Sequence, residues 1–230
     1  MKIKHKYKYV VITFLYGENY TKIYRPLYID DNVLYICFTD RLDLSSDVWY
    51  IKYFPLENIK ADRDKIANIK FNIFNYIDAE KYLLIDSTLE IKSSLLPLFN
   101  NDYIIGLKQH IVAKNLFHEL LRWHNIRHLD MEVIKNFIKQ SKLDNIELYD
   151  IPVFEGNILL FSNNIICKNI ATDVLNLMKK LSTNNDLIIT NQCPLSYIMY
   201  KKYSHIKYFN IKQANYFNRY VLNDTNLNLT

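Results

Sequence analysis

The first ninety residues alternate short apolar runs with a helical pattern, and this alternation limits the possible folds more than any other feature of the chain. Runs of strand character cover residues 9–16, 33–39 and 48–54, and a fourth run covers 83–91. Between the third and fourth runs, residues 62–76 place apolar side chains three to four residues apart, as in an amphipathic helix. Strands that alternate with helices predict an α/β sheet with helices packed on its faces.

The rest of the chain adds further elements to this pattern. Short strands are predicted at 104–107 and 149–162, and helices at 112–123, 131–140, 170–181 and from Pro194 onward. The chain then continues with basic and aromatic residues, and neither an internal repeat nor a linker divides it. We therefore expect a single domain over residues 1–230.

Composition excludes several classes of protein. Only three glycines occur among 230 residues, so the chain contains neither a GxGxxG loop nor a P-loop. Three cysteines without a CxxC pair argue against a disulfide framework and a zinc site, and they favour a reducing compartment. The apolar stretch near the start is short and lacks a small-residue cleavage site, which predicts a strand rather than a signal peptide. No stretch approaches the ~20 apolar residues of a membrane-spanning helix.

The net charge of +5 is a mild excess, concentrated near the start of the chain and in residues 201–219. Such an excess suits a phosphorylated substrate, an acidic membrane surface or nucleic acid, and it does not discriminate among them. A solvated basic face is the simplest explanation.

The polar triplet inside the run 83–91 is the first candidate for chemistry. Asp86, Ser87 and Thr88 interrupt the apolar sequence LLIDSTLEI. An ionised carboxylate at the carboxyl end of a buried strand needs water, a cation or a hydrogen-bond donor. In enzymes that use nucleoside-diphosphate sugars, such a strand end holds Mg²⁺ or Mn²⁺ against the pyrophosphate. Capping of the following turn explains Asp86 equally well, so this residue alone leaves both interpretations open.

Motifs in the first half of the chain occur in a definite order. An opening strand and a tyrosine-rich loop precede the segment YICFTD, which ends at Asp40. A basic helix follows with Lys65 and, five residues later, Lys70. The strand that ends in the triplet IDS at 85–87 comes next.

The second half continues the series. Residues 108–119 match a KHP-type segment that leads into an acidic helix, although Gln109 intrudes and the proline is absent. A proline, an acidic residue and an asparagine precede a strand at 152–157, and residues 190–201 match a segment of the form RDQLSFxYxxWK, with Asn191 in place of the aspartate. Over most of its length the chain thus resembles a family of small bacterial surface-polysaccharide glycosyltransferases, related to plant wall and mucilage glycosyltransferase-like proteins.

The resemblance implies a fold and an activity. The fold would be α/β and GT-A-like, as in nucleotide-diphospho-sugar transferases, with a mixed, mostly parallel central sheet flanked by helices. Residues 1–100 would form the nucleotide-sugar-binding half, and 101–230 the acceptor-binding half with a basic, aromatic C-terminal tail. The activity would be transfer of a sugar from a nucleotide-sugar donor to a surface polysaccharide, lipopolysaccharide or glycoprotein acceptor, assisted by Mn²⁺ or Mg²⁺.

It also implies roles for the matching residues. Asp86 would ligate the metal, His110 is a second candidate ligand, and Glu155 would act as the catalytic base that deprotonates the acceptor hydroxyl. Gln192 would hydrogen-bond the donor or the acceptor. Donor binding is assigned to the following residues: Tyr16, Gly17, Asp40, Lys65, Lys70, Ser87, Asn157 and Asn191.

Ordinary structural roles compete with several of these assignments. Gly17 suits a tight bend, Asp40 suits a cap, and helix lysines are commonly solvated. A lone histidine after a strand is more often structural than a ligand. Asp150 and Asp186 are alternatives to Glu155 as the base. Thr88 occupies the position of the usual second acidic residue of the motif, which leaves Asp86 as the one carboxylate of the triplet.

The expected partners are a nucleotide sugar and a glycan or glycolipid acceptor, with peripheral contact to a membrane through the tail. The expected location is the cytoplasm, at the inner face of the membrane. A final amphipathic helix packed on the core is the simpler explanation of the tail. Two other functions stay open: a GT-A-like scaffold without catalysis, favoured by Thr88 and Asn191, and a nucleic-acid-binding module, against which the low net charge argues.

Overall fold

The computed structural model describes residues 3–17, 22–127, 129–182 and 191–220. Its strands are β1 (Ile3–Leu15), β2 (Val33–Thr39), β3 (Tyr50–Tyr53), β4 (Ile77–Ile85), β5 (Leu89–Ile91), β6 (Ile105–Gln109), β7 (Phe154–Ser162), β8 (Phe209–Asn210) and β9 (Phe217–Arg219). Its helices are α1 (Asp62–Tyr76), α2 (Leu96–Phe99), α3 (Leu116–Arg127), α4 (Met131–Leu143), α5 (Ile165–Leu181), α6 (Gln192–Tyr203) and α7 (Gln213–Tyr216).

Seven of these strands form one central sheet in the order β3-β2-β1-β4-β7-β6-β8. β7 runs antiparallel to its neighbours β4 and β6, and the other described pairings in this sheet are parallel. The expected mixed, mostly parallel sheet is therefore confirmed. The strands β5 and β9 pair separately as a small antiparallel sheet.

Both faces of the central sheet are covered, which explains the continuous buried apolar runs in its central strands, such as residues 9–12 of β1 and 82–85 of β4. Alternate residues of β1 belong to two cores: Val10 and Ile12 pack in one, with residues of α1 and α3 to α6, whereas Tyr9 and Val11 pack in the other, with residues of α2, β5 and β9. None of the described helices is long and apolar enough to cross a bilayer. The side chains of all three cysteines are buried.

Some element boundaries follow the sequence pattern closely, and others do not: β7 starts at Phe154 instead of 149, and α3 starts at Leu116 instead of 112. The helix predicted at 62–76 and the strand predicted at 33–39 both have those limits. The run 83–91, by contrast, contains a turn, in which the Leu89 N–H donates to the Asp86 carbonyl over 3.0 Å. β4 therefore ends before the polar triplet, and the remainder of the run forms β5 in the second sheet. The described part of the tail forms β8, α7 and β9 instead of one amphipathic helix.

Candidate active site

The order of the strands identifies the edge of the sheet at which a ligand is expected. β1 lies between β2 on one side and β4 on the other, so the winding direction of the sheet reverses at β1. In open α/β sheets, ligands bind outside the carboxyl ends of the strands at such a reversal. We call this the carboxyl edge: the ends of β1, β2, β4 and β6, together with the start of the antiparallel strand β7.

Asp86 leaves the end of β4 and forms an ion pair with Lys70 of α1. The Lys70 Nζ lies 2.6 Å from the Asp86 Oδ1 and donates a second hydrogen bond, of 2.8 Å, to the Gly156 carbonyl. The Lys70 side chain is 2% exposed, whereas that of Asp86 is 42% exposed. The ammonium also lies 5.4 Å from the centre of the Phe14 ring. The lysine thus holds the carboxylate from inside the protein, and the carboxylate stays open to solvent.

The start of β7 and the start of α6 complete this cluster. The Asp86 N–H donates to the Asn157 carbonyl over 2.9 Å. A Cβ built on Gly156 would lie 2.0 Å from the Asn191 Oδ1, so the Asn191 side chain rests directly on the glycine. The Asn157 Oδ1 is buried and has no hydrogen-bond partner in the described part of the chain. Of the predicted site residues, Asp86, Lys70, Asn157 and Asn191 are therefore brought together, and Ser87 lies in the adjoining turn.

A second cluster lies beside the first, at the ends of β1 and β2. The Lys65 Nζ lies 2.9 Å from the Asp40 Oδ2 and 3.3 Å from the Asp62 Oδ1. The Gly17 N–H donates to the Asp40 Oδ1 over 3.3 Å. Burial lowers the pKa of Lys65, but its hydrogen bonds to Asp40 and Asp62 outweigh burial and raise that pKa above its ordinary value. Asp40 therefore joins the backbone after β1 to α1.

Tyr16 is a core residue of this second cluster. Its hydroxyl donates to the Phe54 carbonyl over 2.5 Å, and its side chain is almost fully buried. Burial, followed by the charge of Asp40, raises the pKa of the phenol. Gly17 has a φ of +75°, a left-handed conformation that glycine adopts at little cost. The predicted bend at Gly17 is thus present, and the Tyr16 hydroxyl is engaged within the protein.

Glu155 lies on β7 next to the first cluster and is also paired. The Lys108 Nζ lies 2.7 Å from the Glu155 Oε2, and it donates a further hydrogen bond to the Gln213 Oε1 over 2.5 Å. The side chains of Lys108 and Glu155 are 10% and 11% exposed. The role of Glu155 as base stays a prediction, and Asp186, an alternative base, lies outside the described residues.

Gln192 and His110 belong to a further, buried group around Glu119. The Gln192 amide donates to the fully buried Glu119 carboxylate, which also accepts from Arg122 over 2.7 and 2.6 Å and from Trp123. The His110 Nε2 lies 3.9 Å from the Glu119 Oε2. Burial lowers the pKa of His110, although the charge of Glu119 opposes this. The Gln192 side chain therefore points into the protein, toward Glu119, and Gln192 directly follows Asn191 of the first cluster.

The donor set does not fit the expected Mn²⁺ or Mg²⁺ site. No group of three or more His, Cys, Asp or Glu side chains suited to a metal occurs among the described residues. The His110 Nδ1 accepts the N–H groups of Val112 and Ala113 over 3.1 and 2.9 Å, so its lone pair is already used. β4 and β6 are separated by β7, which puts the backbones that carry Asp86 and His110 about 10 Å apart. The carboxylate of Asp86 is itself neutralised by Lys70.

Several residues of these clusters were not predicted as site residues, Gly156 and Gln213 among them. Gly156 contributes its carbonyl to Lys70 and its lack of a side chain to Asn191. Its place between Glu155 and Asn157, in a chain with three glycines, was the available signal. Gln213 contacts Lys108 across more than a hundred residues, and no local pattern indicates that contact.

A cavity of about 410 Å³ lies elsewhere in the structure, lined by Tyr9, Lys81 and Phe99 among others. Lys81 lies on β4, five residues before Asp86, and five residues of a strand span about 17 Å. The ammonium of Lys81 is bonded to the carbonyls of Phe99 and Asn101 over 2.7 and 2.6 Å. This cavity is therefore separate from the carboxyl edge.

No protein-family model matches the sequence, and no curated protein matches it. Among solved structures, apo WbbM, a bifunctional glycosyltransferase, superposes with a TM-score of 0.51 at 11% identity, over 91% of this chain and 40% of that one. The glycosyltransferase GlyE of Streptococcus pneumoniae TIGR4 gives 0.48 at 12% identity, over 90% and 46% of the two chains. The galactosyltransferase LgtC, solved with donor and acceptor sugar analogs, gives 0.41 at 11% identity, over 84% and 70%.

This chain thus spans less than half the length of WbbM and of GlyE. At this level of identity the likeness to WbbM shows the fold alone. The chain has a GT-A-like α/β fold, as the sequence resemblance implied.

Proposed function

We propose that this chain is a glycosyltransferase that moves a sugar from a nucleotide-sugar donor to a hydroxyl group of a surface polysaccharide, lipopolysaccharide or glycoprotein acceptor. The observation that carries the proposal is the assembly of Asp86, Lys70, Asn157 and Asn191 at the reversal point of a GT-A-like sheet. These side chains offer the acceptors and donors that a hydroxyl-rich ligand needs. The buried, unpartnered Asn157 Oδ1 supports a ligand here, because such an acceptor is costly to leave unsatisfied.

The two clusters at the reversal point suggest a division of the donor. The nucleotide would lie over the ends of β1 and β2, where Asp40 and Lys65 are fixed against each other and against the Gly17 backbone. The sugar would lie over Asp86 and the start of β7. The two clusters would thus bind the two ends of the donor.

In the transfer itself, the bond between the anomeric carbon and the phosphate oxygen breaks, and its electron pair stays on that oxygen. The acceptor oxygen bonds to the same carbon and releases its proton to a base. Glu155 is the proposed base, held in position by Lys108. Because Lys108 neutralises Glu155, proton transfer to that carboxylate requires the pair to loosen. The proposed transfer uses no divalent cation, because the described side chains do not form a set of metal ligands.

The same pairing of Glu155 favours one alternative, a GT-A-like scaffold that binds a nucleotide sugar without transferring it. Its distinguishing property is ligand binding without a glycosylated product. Mass spectrometry of an acceptor mixture incubated with each stabilising donor separates the two functions.

The first experiment measures thermal stabilisation by UDP-, GDP-, CMP- and TDP-sugars, each with and without Mn²⁺. We expect one of them to raise the melting temperature of the wild type and to do so less in Asp86→Ala. Asp78→Ala is the matched control, because Asp78 lies on β4 near the opposite end of the strand. If no nucleotide sugar shifts the melting temperature, the proposed function is wrong. If the shift is the same in Asp86→Ala and Asp78→Ala, Asp86 is not part of the site.

A further inference from the structure

We infer that the site binds its donor without a divalent cation, and that Asp86, neutralised by Lys70, accepts a hydrogen bond from a hydroxyl group of the ribose or of the transferred sugar. The inference rests on the proposed function, because it describes how the same site recognises the same donor. It assigns to Asp86 a role different from metal ligation.

The position of the Lys70 ammonium is the first step. Its Nζ lies 2.6 Å from the Asp86 Oδ1 and 2.8 Å from the Gly156 carbonyl, and its side chain is 2% exposed. The ammonium also lies 5.4 Å from the centre of the Phe14 ring. Because the lysine is enclosed and doubly hydrogen-bonded, it stays beside the carboxylate when a ligand arrives from solvent.

The second step is electrostatic. A divalent cation on the open side of the Asp86 carboxylate would lie within about 5 Å of the Lys70 ammonium, where like charges repel strongly in a partly buried site. Lys70 also neutralises the single carboxylate that would have to attract the cation. A hydroxyl group carries no charge to repel, and a carboxylate accepts it in a short, charge-assisted hydrogen bond.

The third step concerns the neighbouring acidic residue. Glu90 follows Asp86 by four positions but is turned into the small sheet, where its Oε2 accepts from the Asn218 side chain over 3.0 Å and from the Tyr220 hydroxyl over 2.8 Å. Glu90 is 8% exposed. The position two residues after Asp86 is occupied by Thr88. The turn after β4 therefore presents one carboxylate, already paired, and hydroxyl groups.

The test of metal independence is calorimetric titration of the wild-type chain with the stabilising nucleotide sugar, in EDTA and in Mn²⁺, with a titration of Mn²⁺ alone. We expect dissociation constants that agree within about threefold in the two conditions. A tightening of about threefold or more in Mn²⁺ overturns the inference and leaves the proposed function intact. Absence of binding in both conditions overturns the proposed function and the inference together.

The test of the hydroxyl contact uses the double variant Lys70→Met/Asp86→Ala, which removes the pair without leaving a buried ammonium alone. We expect about 10-fold to 100-fold weaker binding than in the wild type, the range for a hydrogen bond to a charged group. Asp78→Ala should bind as the wild type does. Equal binding by the double variant and the wild type overturns the inference.

Two ligands distinguish the source of the hydroxyl. If the ribose supplies it, the double variant weakens binding of the nucleoside diphosphate and of the nucleotide sugar by the same factor, and a 2′- or 3′-deoxyribose analogue reproduces the loss in the wild type. If the sugar supplies it, only the nucleotide sugar is weakened. Either pattern supports the contact.

Discussion

Removing Asp86 and removing Lys70 should lower the stability of the protein by different amounts. Loss of the more exposed partner, Asp86, should destabilise it more. Asp86→Ala removes the partner that is 42% exposed and leaves an ammonium that is 2% exposed. Lys70→Met removes the buried partner and leaves a carboxylate that water can reach. We therefore expect the more exposed residue to be the more important one for folding.

The magnitudes follow from the contacts. Stripping a buried charge of its partner destabilises a protein by about 3–5 kcal/mol, and the lower end applies to Asp86→Ala because water can enter beside the truncated side chain. In Lys70→Met, an apolar chain of similar length stays in the core, and the main loss is the donor to the Gly156 carbonyl, worth about 1–2 kcal/mol. The double variant should resemble Lys70→Met, since no charge is then stranded.

Urea denaturation of the four proteins, fitted as a two-state transition, measures these differences as free energies of unfolding. Asp78→Ala should stay within about 0.5 kcal/mol of the wild type. The reasoning fails if Asp86→Ala is no less stable than Lys70→Met, or if the double variant shows the sum of the two single losses.

Three other predictions concern neighbouring parts of the molecule. Gly156→Ala should displace the Asn191 side chain, because a Cβ there would lie 2.0 Å from its Oδ1; calorimetry should show donor binding weakened about tenfold, and an unchanged affinity would remove Asn191 from the site. Burial raises the pKa of Asp144, but hydrogen bonds led by that of Lys201 outweigh it and lower the pKa to about 2. The stabilisation by ionised Asp144 is therefore present above about pH 4 and is lost as pH falls toward 2. In Asp144→Asn, the midpoint of urea denaturation should change less with pH over this range than in the wild type. Burial lowers the pKa of His110, so the stability that neutral His110 contributes is complete above about pH 6.5 and declines as pH falls below that value. The melting temperature of His110→Asn should therefore fall less with decreasing pH than that of the wild type. Identical pH profiles of the two proteins would show that His110 does not cause the decline.

Local periodicity was enough to predict the framework of the sheet. The apolar spacing over 62–76 and the continuous apolar run 33–39 each identified an element with its observed limits, because one face of the helix and both faces of the strand are buried. The run 83–91 was predicted as one strand because its apolar residues are buried. In the structure these residues lie on both sides of a turn formed by the polar triplet. Periodicity reports burial, and a turn between two buried segments leaves that signal unchanged.

The electrostatic character of the site could not be predicted from the sequence. Lysines on a helix are ordinarily solvated, yet the Lys65 and Lys70 side chains are 12% and 2% exposed. What buries them is the packing of α1 against the carboxyl edge, which depends on strands distant in sequence. The contact between Lys108 and Gln213, 105 residues apart, has the same origin.

The spacing of the lysines on α1 explains why one helix serves both clusters. Five residues correspond to a rise of about 7.5 Å and a rotation of about 140°, so Lys65 reaches the end of β2 while Lys70 reaches the end of β4, on the two sides of β1. Within the described part of the chain, Lys65, Lys70 and Lys108 each make two hydrogen bonds, at least one of them to an acidic residue that was predicted to belong to the site. Each of these ammonium groups is thus paired with at least one carboxylate. The carboxyl edge therefore has no excess of positive charge, which suits recognition of hydroxyls and phosphate oxygens by hydrogen-bond geometry.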